Sequence, residues 1–224
     1  MLAIGACLGL TAPLDMDFHW HVALGRGLVA HGFPTAEPFS HLPAPVPDRQ
    51  AWLADAALAI LDRIGGIAAI RVLCAVVFAA GCLSVLRLAR RRTASLALAL
   101  LCVAIYVALA LARLRVRPDL FTLALTPLFV ELLERRPSWR QPVAVLLVST
   151  LWANLHPGAI IGALLGLAQL WPPSRIRVAN AIAACAGLAL TPDGLGGVLR
   201  FTADTTKLRP LIPEWQRLWE RPRC

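Results

Sequence analysis

The chain has 224 residues, of which 58% are hydrophobic and only 16% charged, with a formal net charge of +9. A soluble domain carries about 25% charged residues, so the mean hydropathy of +0.67 argues for contact with lipid. The positive charge does not point to nucleic acid, because the basic residues are arginines, with Lys207 the sole lysine, set in short clusters between apolar runs.

Met1 to Leu14 is apolar and uncharged but shorter than the roughly 20 residues of a straight span. It lacks the basic start of a cleaved signal peptide. Asp15, Asp17, His19 and His21 follow at once. Ionisable groups beside a membrane segment are costly to keep and are functional candidates.

Phe18 to His31 has helical spacing, ended by Gly32-Phe33-Pro34. Five prolines (Pro34, Pro38, Pro43, Pro45 and Pro47) make the next stretch a loop. Gln50 to Ile64 resumes helical spacing. Trp52, Leu53, Ala56, Ile60 and Ile64 share one side and Asp55 and Asp62 another, the pattern of a helix lying in a membrane interface. Gly65-Gly66 ends it.

Six apolar runs come next: 67–86, 94–112, 120–130, 143–155, 159–171 and 178–191. With the N-terminal segment they predict an all-α integral membrane protein of about seven membrane segments, residues 1–197, with an outer loop at 15–66 carrying two interfacial helices. Residues 198–224 read as a tail on the same outer side. Arginine clusters at 87–92, 135–140 and 175–177 fall on alternate turns and mark the cytoplasmic face. The predicted location is a membrane, multi-pass, with the site facing away from the cytoplasm. Asp15, Asp17, His19, His21, Asp55, Arg113, Arg115, Arg117, Asp119, Asn154, His156, Asp193 and Glu214 then share one side.

Each cluster has two readings. Asp15-x-Asp17 supplies a general base or ligands for a divalent cation, or else Asp17 caps the helix at Phe18 and Asp15 is solvated. His19-x-His21 binds a transition metal or makes interfacial hydrogen bonds. Arg113, Arg115 and Arg117 sit against the expected charge bias. They recognise phosphate, or they snorkel to headgroups. Asn154 to Gly158 lines a cavity or simply turns the chain. Thr191-Pro192-Asp193-Gly194 reads as a turn first and a site second. Trp215, beside Glu214, anchors to the interface or stacks on a sugar. The six cysteines form no C-x-x-C pair and read as small hydrophobes.

The ordered set D-x-D-F-H-W-H, P-T-A-E-P-F-S-H, W-L-A-D-A-A-L, R-P-D-L-F-T-L, L-W-A-N-L-H-P-G, T-P-D-G and P-E-W-Q resembles bacterial membrane proteins related to the GT-C glycosyltransferases. That superfamily includes protein O-mannosyltransferases and aminoarabinose transferases. The resemblance implies transfer of a sugar from a polyprenyl-phosphate donor on the extracytoplasmic face. It implies Asp15 or Asp17 as the catalytic base. It also implies Arg117 and His156 at the donor phosphate. The residues' own pattern adds Arg113 and Arg115 to that phosphate site and sets His19, His21, Asp55, Asn154, Glu214 and Trp215 along the substrate. Members of that superfamily continue beyond P-E-W-Q, which implies a reduced or truncated form here. The alternative is a non-enzymatic membrane protein that binds or carries lipid-linked glycans. Secondary transport ranks last, because one helix break and no internal repeat are found.

Overall fold

The computed structural model describes residues 2–34, 49, 51–111, 113–197, 199 and 200. Helices carry the chain: α1 (Leu2–Leu10), α2 (Phe18–His31), α3 (Trp52–Arg92), α4 (Leu96–Leu111), α5 (Asp119–Leu133), α6 (Arg140–Leu155), a 3₁₀ turn (Pro157–Ala159), α7 (Ile160–Ala168) and α8 (Arg175–Ala189). Among the described residues the only β-type pairing is a single parallel bridge between Leu14 and Val116.

The all-helical expectation agrees with this architecture. The expectation of about seven membrane segments does not, and with it falls the multi-pass layout. Among the described residues only α3 is long and apolar enough to cross a membrane. The other apolar runs do form helices, but short ones. α4 and α6 have 16 residues each, about 24 Å at 1.5 Å per residue, against a hydrocarbon core of about 30 Å.

α3 is two helices in series. Gly65 and Gly66 leave helical geometry at φ −148° and φ +59°, and the second value is one that glycine adopts without a side-chain penalty. The amphipathic arm 52–64 therefore turns away from the apolar segment beyond it. The helix expected over 50–64 is present from Trp52.

The core has two lobes. In one, Phe129 of α5 meets Trp152 of α6 edge to face at 5.9 Å, both fully buried, with α7 and α8 packed around them. In the other, α1, α3 and α4 enclose Ile70, Phe78 and Val103. α5 belongs to both lobes. Pro127 interrupts α5 and has no N–H to give the carbonyl of Leu123. The Tyr106 hydroxyl of α4 donates to that carbonyl at 2.9 Å instead. Gln141 at the start of α6 donates to the carbonyls of Leu132 and Leu133 at 2.8 and 3.1 Å, supplying partners to the unpaired end of α5.

The ends of the helices sort into two groups. The Arg91 and Arg92 side chains pair with Glu131 and Glu134, so the C-termini of α3 and α5 lie together. Asn154 near the end of α6 donates to the carbonyl of Leu190 just past α8. α6 and α8 therefore run in the same direction. The opposite end gathers the start of α2, the start of α3, the start of α5 and the α6–α7 break.

Candidate functional site

The site is assembled on a pairing of two distant segments. Val116 N–H donates to the carbonyl of Pro13 at 3.0 Å, beside the Leu14–Val116 bridge. Alternation along this extended piece buries Leu114 and Val116 and turns Arg115 and Arg117 toward Asp15. Their guanidinium groups reach Asp15 Oδ2 at 3.3 and 3.4 Å. The other carboxylate oxygen accepts the Asp17 N–H at 3.2 Å, and the Asp15 carbonyl accepts Phe18 N–H at 3.1 Å.

Asp15, not Asp17, therefore does the work of starting α2; Asp17 makes no side-chain cap bond. Asp15 is 7% exposed. Burial opposes its charge, but the Asp17 N–H, the Arg117 charge and the Arg115 hydrogen bond outweigh that and hold the carboxyl below its usual range. A carboxylate so stabilised is a poor proton acceptor. Its oxygens already face two arginines and an N–H, which does not fit a cation. No cluster of three metal-ligating side chains occurs among the described residues.

A second buried pair lies on the facing helices. His21 Nδ1 is 2.7 Å from Asp55 Oδ1, with both side chains nearly buried. α2 and the first arm of α3 approach so closely that a side chain at Gly25, one turn on, would overlap the Asp55 carbonyl. An ionised Asp55 accepts the Nδ1 proton, which leaves the lone pair of a neutral His21 on Nε2.

The third element is the α6–α7 break. His156 is extended at φ −164°, ψ 139°, as a residue before proline prefers. Its Nδ1 lies 3.0 Å from the Gly158 N–H and 2.8 Å from Thr122 Oγ1. An amide can only donate, so Nδ1 accepts, and the neutral ring carries its proton on Nε2. Trp152 Nε1 donates to the same threonine oxygen at 3.0 Å and fixes it in place. Burial, together with the charges of Arg117 and His21, pushes the His156 pKa down to about 4. The ring is thus neutral at physiological pH.

Asp119 opens α5, where a carboxylate meets the positive end of the helix dipole. Burial nevertheless raises its pKa to about 6, against the pull of Arg117 and Arg113. Arg117 Nε lies 3.3 Å from Asp119 Oδ1 as an ion pair, yet that buried oxygen has no hydrogen-bond partner.

These elements enclose a cavity of about 160 Å³, lined by Trp20, His21, Asp55, Arg117, Asp119 and His156, with Ala51 and two prolines. Four separate stretches of sequence therefore do meet at one place. Among the expected site residues, His21, Asp55, Arg117 and His156 line the cavity, and Asp15 and Arg115 stand behind Arg117. Asp17, His19 and Arg113 are exposed and do not line it. Asn154 is a structural joint: it accepts from Trp52 Nε1 and donates to the Thr150 and Leu190 carbonyls. Glu214 and Trp215 lie outside the described residues.

Asp119 is the one cavity group that sequence reasoning placed on this face without giving it a role. Its signal was visible: an acid following Arg-Pro at a helix start, next to three alternating arginines. No family model matches the chain, and no match to it was found among curated proteins or solved structures.

Proposed function

We propose that the chain transfers a glycosyl group from a polyprenyl-phosphate donor to an acceptor hydroxyl at a membrane face. The observation that carries this reading is the meeting of the His21–Asp55 pair, Arg117 and His156 in one cavity. His21 Nε2 takes the proton of the acceptor hydroxyl, and Asp55 steadies the imidazolium so formed. The freed oxygen attacks the anomeric carbon. The bond from that carbon to the phosphate oxygen breaks, and the phosphate leaves with the electron pair. Arg117 and the Nε2–H of His156 meet its growing charge.

In this reading the base is His21 rather than Asp15 or Asp17, and Asp15 is a positioning residue that aims Arg117. Membrane placement is supported by the apolar segment of α3 beyond its kink and by exposed leucines along α4, such as Leu101 and Leu109 at 53% and 74%. The site end would face away from the cytoplasm.

One observation favours the second reading, a binder of lipid-linked glycans without turnover. Ligand sites for drug-sized molecules run to about 300–1,000 Å³, and a cavity of about 160 Å³ seats one head group rather than donor and acceptor together.

The two separate on His21→Gln and Asp55→Asn. Transfer requires kcat to fall by about 10²–10⁴-fold while binding of polyprenyl phosphate holds. Binding without any turnover in the wild-type chain, across sugar donors, would leave only the binder.

A further inference from the structure

We propose that the end of the molecule opposite the candidate site docks on an anionic phospholipid surface through its arginines and two tryptophans. The inference rests on the membrane placement above and is independent of the chemistry assigned to the site.

The C-termini of α3 and α5 meet at this end through the Arg91–Glu131 and Arg92–Glu134 pairs. α6 begins there, because Gln141 holds the last carbonyls of α5. α8 runs alongside α6 in the same direction, so its first turn reaches the same end. Arginines of three separate connections thereby collect on one surface: Arg87 and Arg90 from α3, Arg136 and Arg140 around the α5–α6 turn, and Arg175 at the start of α8, all exposed. The acids here, Glu131 and Glu134, are already engaged by Arg91, Arg92 and Arg135. The excess charge is left for a partner.

The aromatic residues decide what kind of partner fits. Trp139 and Trp171 are 73% and 85% exposed, one before α6 and the other before α8. Arg140 lies over the Trp139 ring at 5.3 Å, which holds a cation and an aromatic face side by side. Just inside this rim, the first turns of α4, α6 and α8 expose Leu96, Val143 and Val178. A basic rim, amphipathic aromatic rings and then bare apolar side chains match the order of layers from headgroup phosphate to acyl chain. A nucleic acid would meet the same arginines but has no use for exposed aliphatic residues directly behind them.

The full chain is reconstituted in phosphatidylcholine bilayers, and quenching of its tryptophan emission is measured with brominated phosphatidylglycerol against brominated phosphatidylcholine. The expected result is preferential quenching by phosphatidylglycerol. The triple substitution Arg87→Gln, Arg136→Gln, Arg175→Gln is expected to weaken phosphatidylglycerol binding by about a hundredfold, at roughly fivefold per arginine, with phosphatidylcholine unaffected. Unfolding of the variant in detergent at the wild-type temperature verifies that the fold is intact. Equal quenching by the two lipids, or a preference that survives the triple substitution, overturns the proposal. So does binding of a short single-stranded oligonucleotide that displaces phosphatidylglycerol, which would assign the surface to nucleic acid. Loss of sugar transfer in His21→Gln with the lipid preference intact would concern the site alone.

Discussion

His21 and Asp55 stand 34 residues apart in sequence, and their side chains close to 2.7 Å because Gly25 lets their two helices touch. The pair is thus a product of helix contact, and the contact has one weak point. Gly25→Ala places a methyl group against the Asp55 carbonyl. The expected cost is about 1–3 kcal/mol, typical of an overpacked contact. Turnover should fall further than stability, since the helices that separate are the ones carrying the pair. Chemical denaturation and a transfer assay on the same variant check this. Unchanged turnover in a destabilised protein would detach the pair from the reaction.

Asp119 makes stability depend on pH in a defined window. Its folded pKa of about 6 lies above the ordinary carboxylate value of about 3.9, so the folded state holds the proton more tightly than the unfolded one. Stability from this group is present below pH 4 and is lost as pH rises through 6. Asp119→Asn removes that loss. The variant should gain on the wild type by about 1–3 kcal/mol between pH 4 and pH 8, read from denaturant midpoints at the two pH values. His156 has the opposite sign. Its folded pKa of about 4 lies below the free value, so its contribution grows as pH rises from 4 to 6.5. The two contributions oppose each other in the wild type, and the comparison with the variant is needed to expose either group.

Arg115 and Arg117 touch the same carboxylate oxygen but are not equal. Arg115 is half exposed, while Arg117 is 29% exposed and also lies beside Asp119. Arg115→Gln should cost less than about 1 kcal/mol, as exposed pairs do. Arg117→Gln leaves two buried carboxylates short of a partner and should cost about 3 kcal/mol. It should also raise KM for a phosphate-bearing donor, whereas Arg115→Gln should leave KM near wild type.

Tyr106 and Pro127 form a testable couple. Tyr106→Phe strands the Leu123 carbonyl and is expected to cost about 1–2 kcal/mol. Pro127→Ala restores an N–H to α5 and provides that carbonyl with its usual partner. The cost of Tyr106→Phe should therefore shrink in the Pro127→Ala background. A double-mutant cycle showing strict additivity would remove the coupling.

Much of the fold was legible from local rules. The α2 helix, the arm over 52–64, the Gly65-Gly66 break and the His156-Pro157-Gly158 interruption follow from periodicity and from the backbone properties of glycine and proline. The membrane count was not legible, because apolar composition cannot distinguish a side chain that meets lipid from one that meets another helix. Phe129 and Trp152 look as lipid-compatible as Leu109, yet the first two are fully buried and the last is 74% exposed. The meeting of the four polar stretches was expected from a common side, but that side was counted over segments that do not cross as expected. The partners could not be anticipated. Nothing local to Asp15 says that its charge will be held by Arg115 and Arg117, and nothing local to Asp17 says that its own side chain will stay in solvent.

The pairing of Leu14 with Val116 also dictates an order of assembly. Asp15 waits 100 residues for Arg115 and 102 for Arg117, and Trp52 waits 102 for Asn154. These are contacts of high sequence separation, whose loop-closure entropy must be overcome before they stabilise anything. On a chain emerging from the ribosome, α1, α2 and the arm of α3 exist long before the arginines that neutralise Asp15 or the asparagine that holds Trp52. The site is therefore the late-closing part of the molecule. Until the stretch around residue 117 arrives, the Asp15 carboxylate keeps its water.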